Sequence, residues 1–299
     1  MECKICKFND VKVIGDPRIN NKFPKIIERD YKIVQCINCK LYFIHPGINL
    51  DQDEWKELYE DNYFEHHNTT KWHKELHIKE RKERLEKILH FINKPIGNLL
   101  DMGCGEGYVL SESLKYGFVP YGLDIADNID KSLERKDINF YKGNIFDAKY
   151  PDNYFSAIYT DSVFEHLDYP IEVLKELYRI VQPNGVILLI VPNEDCLVND
   201  IKKIVYTLFC KRKQYGRIKP FVPPYHINGF NPESLSNLVN LAGFELLEIC
   251  QFGGDYQMWK AYKRFSKLYF IELLLHPFRL ISIMLKKEIQ LQVIFRKKG

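Results

Sequence analysis

Leu99-Leu100-Asp101-Met102-Gly103-Cys104-Gly105-Glu106-Gly107-Tyr108 is an apolar strand that runs straight into three alternating glycines and then a helical stretch. Glycines at the end of a strand let the backbone turn sharply and let a ligand approach it closely. Asp124 follows at the end of the next apolar run, where a carboxylate can accept hydrogen bonds from both hydroxyls of a ribose. A nucleoside cofactor is expected, and two classes compete for the site. A dinucleotide fingerprint is Gly-x-Gly-x-x-Gly, whereas this chain has Gly-x-Gly-x-Gly. Glu106 inside the loop would repel a pyrophosphate, and Asp101 just before it suits a cationic amino group. The pattern points to a cofactor with an amino-acid end and leaves a nicotinamide oxidoreductase as the alternative enzyme.

Outward from that loop, strand and helix alternate. Asn98 to Met102, Pro120 to Asp124, Ile138 to Tyr141, Tyr154 to Thr160 and Gly185 to Pro192 read as strands. Ile171 to Gln182 carries the stripe of a helix, stopped by Pro183-Asn184-Gly185, and Ile289 to Phe295 alternates as an antiparallel closing strand. This predicts an α/β fold, a Rossmann-like doubly wound sheet, over residues 94–299. Residues 51–93 are charged and helical, with Trp55, Leu58 and Tyr59 on one face and Leu85, Ile88, Leu89 and Ile92 on another, and read as a connector. Residues 1–50, punctuated by Gly15, Pro17, Pro24, Pro46 and Gly47, read as a small β-module.

The Asp101 to Gly107 loop together with Asp124 resembles the class I S-adenosylmethionine-dependent methyltransferases, in the broad group that includes ubiquinone-biosynthesis and sugar-modifying enzymes. The resemblance covers about residues 95–250 and implies a seven-stranded sheet. It implies that Asp101, Gly103, Cys104, Gly105 and Gly107 wrap the methionine part of S-adenosylmethionine and that Asp124, with Ile125 beside it, holds the ribose. Gly143-Asn144-Ile145-Phe146-Asp147 stands where the family has Gly-Asp at the adenine, so Asn144 and Ile145 fall there, with Asn144 a departure. Asp161-Ser162-Val163-Phe164-Glu165-His166-Leu167 resembles the family's motif after the fourth strand, which brings Thr160 and Asp161 to the cofactor and Glu165 and His166 to the acceptor. Some relatives hold a metal with acids in this loop, but Ser162 occupies a matching position, and no catalytic metal is expected. The family commonly has a His before Phe-x-Pro-x-Ser-Leu, matched here by His226 and Phe230 to Leu235, with Tyr225 alongside. An unperturbed imidazole titrates near neutrality, so His226 or its rival His166 can take a hydroxyl proton, with the rate rising through a pKa of about 6–7.

Cys3-x-x-Cys6 and Cys36-x-x-Cys39 provide two knuckles that can place four thiolates around one structural Zn²⁺, in a zinc-ribbon-like module. The second knuckle resembles a zinc-binding region found before the methyltransferase domain in some sugar- and natural-product-modifying enzymes. His73 and His77 stand at helical spacing without acids or cysteines in a ligand pattern, and read as solvated surface. A zinc-ribbon protein that binds nucleic acid is the non-enzymatic alternative. Against it, the basic residues lie outside the module and its aromatics form no evident stacking platform.

Those basic residues are concentrated. Lys202 to Lys219 holds seven Lys/Arg and no acid, within a basic insertion at about 196–222; Met258 to Gly299 holds ten against Glu272 and Glu288. They suit a small anionic acceptor; the resemblance implies one such as a nucleotide-linked sugar or a surface-polysaccharide precursor, methylated on oxygen ahead of carbon or nitrogen. The apolar and basic segment at about 257–288 is expected to pack on the core or pair two protomers, ahead of lying on an anionic membrane. The chain is expected as a monomer or homodimer. Met1-Glu2-Cys3-Lys4-Ile5-Cys6 shows no apolar leader and no run reaches about 18 apolar residues, so a cytoplasmic location is expected.

Overall fold

The computed structural model describes residues 2–17, 30–48, 71–92, 96–130, 137–205, 208, 218–219 and 225–299. Trp55, Leu58, Tyr59, His66 and His67 of the connector, and most of the basic insertion beyond residue 205, lie outside the described residues.

Seven strands form the main sheet: β4 (Asn98–Met102), β5 (Val119–Asp124), β6 (Asn139–Lys142), β7 (Phe155–Asp161), β8 (Val181–Pro192), β10 (Glu245–Phe252) and β11 (Gln290–Arg296). Their order is β10-β11-β8-β7-β4-β5-β6. β11 alone runs antiparallel to its two neighbours. The expected seven-stranded α/β sheet is therefore present. Ile187 to Val191 is buried without a break, as a strand covered on both faces must be. The chain winds outward in both directions from the adjacent pair β4 and β7. That makes the carboxyl ends of these two strands the switch point of the sheet, where open α/β folds bind their ligands.

Helices cover both faces. α3 (Pro170–Ile180) and α5 (Pro232–Leu241) contribute Ile171, Leu174, Leu177, Leu235 and Leu238 to one layer. On the other, α1 (Lys71–Phe91) buries Leu85 and Ile88 against Leu99, Tyr159 and Leu188 of the sheet, behind α2 (Tyr108–Leu114). The boundary drawn after residue 93 on sequence thus falls inside one packed unit, because the apolar stripe of α1 needs the sheet to cover it.

The cysteine module is a small antiparallel sheet of β1 (Val11–Gly15), β2 (Lys32–Cys36) and β3 (Tyr42–His45). Its fourth strand, β9 (Asn228–Gly229), comes from far along the chain and pairs with β3. One face of the module, with Ile5, Val34, Leu41 and Phe43, shares a core with Phe164, Ile171 and Phe230; the other packs Ile33 and Ile44 on Ile218 and Ile227. Alternation along β2 and β3 supplies both faces at once.

Two helices stand apart from this packing. α4 (Leu197–Val205) buries no residue, and α6 (Lys267–Met284) buries only Ser282. Within the 257–288 segment, expected to pack on the core or pair two protomers, Ala261 is buried, but the apolar residues of α6 face outward and not onto the core.

Candidate active site

The glycine loop leaves β4 with Gly103, Gly105 and Gly107 all at positive φ. Gly103 at φ +80° has no room for a side chain, as an added Cβ would lie 2.3 Å from Val163 in the loop after β7. An added Cβ on Gly105 would meet only open space, so at φ +49° it is conformation and not crowding that disfavours a side chain there. Asp124 Oδ2 accepts from the Gly105 amide at 2.9 Å and Oδ1 accepts from the Ala126 amide at 3.0 Å. Each oxygen retains lone-pair capacity for a ribose hydroxyl.

Asp101 is buried at the end of β4. Burial pushes its carboxyl up to about 8; Arg81 pulls the other way, and Asp161 and Asp124 add repulsion. Cys104 points away from the loop, packed with Leu110 and Ile129, and its thiol is raised by burial. The Asn144 carbonyl oxygen accepts from the Phe146 and Asp147 amides at 2.9 and 3.0 Å while its amide donates to Asp147, so this side chain caps a turn. Ile145 is buried and Ile125 exposed.

At the end of β7, Thr160 is fully buried with its hydroxyl unpartnered. Asp161 accepts from Arg84 of α1 at 2.7 Å, from Tyr159 and from Ser162. Sequence reasoning missed Arg84, because nothing in α1's own pattern says which carboxylate it meets across the fold. Ser162, at φ +59°, then turns the chain into the short helical turn Phe164–His166.

That turn holds Glu165, only 1% exposed, with neither carboxylate oxygen hydrogen-bonded. Burial pushes it up to about 8, and Asp161 and Glu194 add repulsion. His226 Nε2 lies 3.9 Å from Glu165 Oε1, and the His226 ring meets His166 edge-on with centroids 5.0 Å apart. His166 Nδ1 donates to the Tyr225 carbonyl at 3.0 Å, which leaves its Nε2 as the unprotonated nitrogen. Tyr225 itself is buried, and its carbonyl orients His166. Burial lowers His166, and lowers His226 to about 3 with help from His166 and Lys219. The expected titration of His226 near 6–7 is therefore corrected: burial keeps this imidazole neutral across the physiological range. Glu165, His166 and His226 bring metal-ligand atoms within 4.8 Å of one another, a cluster not anticipated from sequence.

Cys3, Cys6, Cys36 and Cys39 converge as their spacing predicted. Sγ separations are 3.4 Å for Cys3 to Cys39 and 3.5 Å for Cys6 to Cys36, and all four lie within 4.8 Å. A tetrahedral shell with Zn–S bonds of about 2.3 Å needs sulfurs about 3.8 Å apart, so the set fits that ion. The two knuckles repeat one geometry, with Lys7 and Lys40 each at positive φ directly after the second cysteine.

Known proteins share this chain's central region. The family model described as a methyltransferase domain matches residues 77–249, more than half of the chain. An uncharacterized methyltransferase of Schizosaccharomyces pombe is 32% identical over 115 residues, 33% of this chain and 40% of that protein. A protein named as a probable S-adenosylmethionine-dependent methyltransferase of Mycolicibacterium smegmatis is 28% identical over 153 residues, 50% of this chain and 52% of that one. The chain spans about half the length of the curated relatives it matches. A SAM-dependent methyltransferase from Archaeoglobus fulgidus superposes with a TM-score of 0.51 at 21% identity, over 74% of this chain and 94% of its own, and shares the fold.

Glu165 has a stability signature. Its carboxyl is raised in the folded state, so the folded protein binds its proton more tightly than the unfolded chain does; stability is full below the unfolded value of 4.5 and is lost as pH rises through about 8. Glu165→Gln should remove that loss and make the protein more stable than wild type above pH 8, by at most about 5 kcal/mol. Urea unfolding at pH 5 and pH 9 checks it; an equal effect at both values would show that Glu165 is not buried as a neutral acid.

Proposed function

The chain belongs to the methyltransferase-domain family, and from that premise we propose that it transfers the methyl group of S-adenosylmethionine to a hydroxyl of a small anionic metabolite. A nucleotide-linked sugar or a surface-polysaccharide precursor is the acceptor that the basic segments and the family resemblance suggest. One observation carries the cofactor assignment: a buried Asp101, whose carboxyl burial pushes up, sits directly before a glycine loop that is tied to Asp124. That donor set fits a nucleoside with a cationic amino-acid tail better than a pyrophosphate. Bound there, S-adenosylmethionine supplies an electrophilic methyl on a sulfonium centre. Asp101 would face its ammonium group, Asp124 its ribose, and Thr160 and Asp161 the crevice between them.

Catalysis rests first on alignment of acceptor and methyl donor, which binding geometry alone can make worth several powers of ten. The acceptor proton needs a base, and His226 Nε2 beside Glu165 is the pair in position. At neutral pH that pair holds one proton, on Glu165, because burial penalises both charged forms. Once Glu165 ionises, its carboxylate stabilises the imidazolium that His226 becomes on taking the acceptor proton. His166, with its tautomer set by the Tyr225 carbonyl, stands as the rival base.

Within this reading Cys3, Cys6, Cys36 and Cys39 hold one structural zinc, which orders the module whose β3 pairs with β9 beside His226.

Three measurements test these assignments. Titration with S-adenosylhomocysteine at pH 7 in buffers of different ionisation enthalpy should show release of nearly one proton, as Asp101 ionises against the ligand ammonium. Asp101→Asn should bind more weakly and release none; NAD binding instead would return the chain to the oxidoreductase class. Under an acceptor screen, His226→Ala should keep S-adenosylhomocysteine affinity while turnover falls by at least about 10²-fold. The wild-type rate should rise with pH through about 8, the Glu165 value, and Glu165→Gln should flatten that rise. Loss of turnover in His166→Ala alone would move the base to His166. Metal analysis of protein purified without chelator should find one zinc per chain, absent in Cys36→Ser; metal-free wild-type protein would refute the zinc site.

A further inference from the structure

α6 is built inside out. Tyr269, Glu272, His276, Arg279 and Ser282, spaced three and four apart, form its inward stripe, and every one of them is polar or carries a polar tip. Arg279 pairs with Glu272, and the two side chains are only 18% and 16% exposed. The His276 ring stacks edge-on against Trp259 at 4.4 Å, and Ser282 packs beside Gly254. The outward side is apolar: Phe270 is 52% exposed, Leu274 72%, Phe278 48% and Met284 83%. A helix in water places these faces the other way round.

α4 is a second helix with exposed apolar residues, joined to the end of α6. Val198, Ile201, Ile204 and Val205 are exposed along it, with Leu208 just beyond. Its start is tied to the end of α6, since Lys287 Nζ bonds Asp200 at 2.6 Å and the Leu197 amide donates to the Lys287 carbonyl. Exposed cations edge the patch at both ends: Lys263, Arg264 and Lys267 at the start of α6, Lys286 after it, and Lys202 and Lys203 on α4. The acids on these two helices are already paired, Glu272 with Arg279 and Asp200 with Lys287.

We propose that α6 and α4 form a docking surface for an anionic lipid bilayer, with α6 lying in the plane of the interface. The inference is independent of the methyltransferase reading. An 18-residue helix is about 27 Å long, and among the described residues no helix is long and apolar enough to cross a membrane. An exposed apolar face with Lys and Arg at its margins is the composition that binds a headgroup layer, where apolar side chains enter the acyl boundary and cations meet lipid phosphates. A second copy of the chain fits less well. Two-fold pairing of antiparallel α6 helices would set the Lys263-Arg264-Lys267 end of one protomer against Lys286 of its partner, like charge on like.

Sedimentation of the full chain with vesicles tests the proposal. Wild type should pellet with phosphatidylcholine vesicles containing about one third phosphatidylglycerol, and bind at least about tenfold more weakly to phosphatidylcholine alone or in high salt. The double variant Leu274→Glu, Phe278→Glu should stay in the supernatant with an unchanged melting temperature, because both positions are exposed. Met284→Glu supplies a second, milder probe of the same face, and Lys263→Glu with Lys267→Glu should lose the preference for anionic vesicles. Wild type that remains in the supernatant of anionic vesicles overturns the proposal. So does a stable dimer by light scattering that the Leu274→Glu, Phe278→Glu variant splits and anionic vesicles leave intact.

Discussion

Residues 227–229 are held from both sides by backbone hydrogen bonds, and the reacting end of the molecule depends on that clamp. On one side the Ile44 amide donates to the Ile227 carbonyl at 3.2 Å and β9 pairs with β3. On the other the Ile227 amide donates to the Glu165 carbonyl at 2.9 Å, while Asn228 Nδ2 donates to the Leu167 carbonyl at 2.5 Å. Gly229 completes the fit, since an added Cβ would come within 2.6 Å of Glu194 and 3.2 Å of Tyr42. The position of His226 against Glu165 is therefore set as much by the cysteine module as by the main sheet. Through β9 the cysteine module holds a loop that has little core of its own.

Burial governs the electrostatics of the site. Asp101 and Glu165 end two different strand-and-loop segments at the same edge of the sheet, and both are pushed up to about 8 by loss of water. Asp161 repels both of them, yet it is itself paired with Arg84. Burial thus biases both of these carboxyls towards their neutral form.

Local pattern made the main sheet legible: the continuous apolar strands, the turn through Gly103 to Gly107 and the end of β5 at Asp124 each depend on neighbours in sequence. The convergence of the four cysteines was legible because paired Cys-x-x-Cys knuckles have a spacing of their own. What stayed hidden depends on long-range placement. Arg84 meets Asp161 across 77 residues, and β9 (Asn228–Gly229) joins a sheet that begins at Val11. The role of Asn144 was hidden for a different reason, as a turn cap and a ligand contact look alike in sequence. For α6, the polar spacing of Tyr269, Glu272, His276, Arg279 and Ser282 was visible, but periodicity shows that a helix has two faces without showing which one turns inward.

The shared core has a consequence for how this architecture can change over time. Because Phe43 and Leu41 pack in one cluster with Phe230 and Leu235, the cysteine module is not a detachable cassette joined by a linker. Recombination that imported a different amino-terminal module would have to import the segment around β9 with it, or leave Phe230 and Ile227 facing water. The two stretches are separated in the gene yet inherited as one mechanical part, and variation in either is answerable to the other.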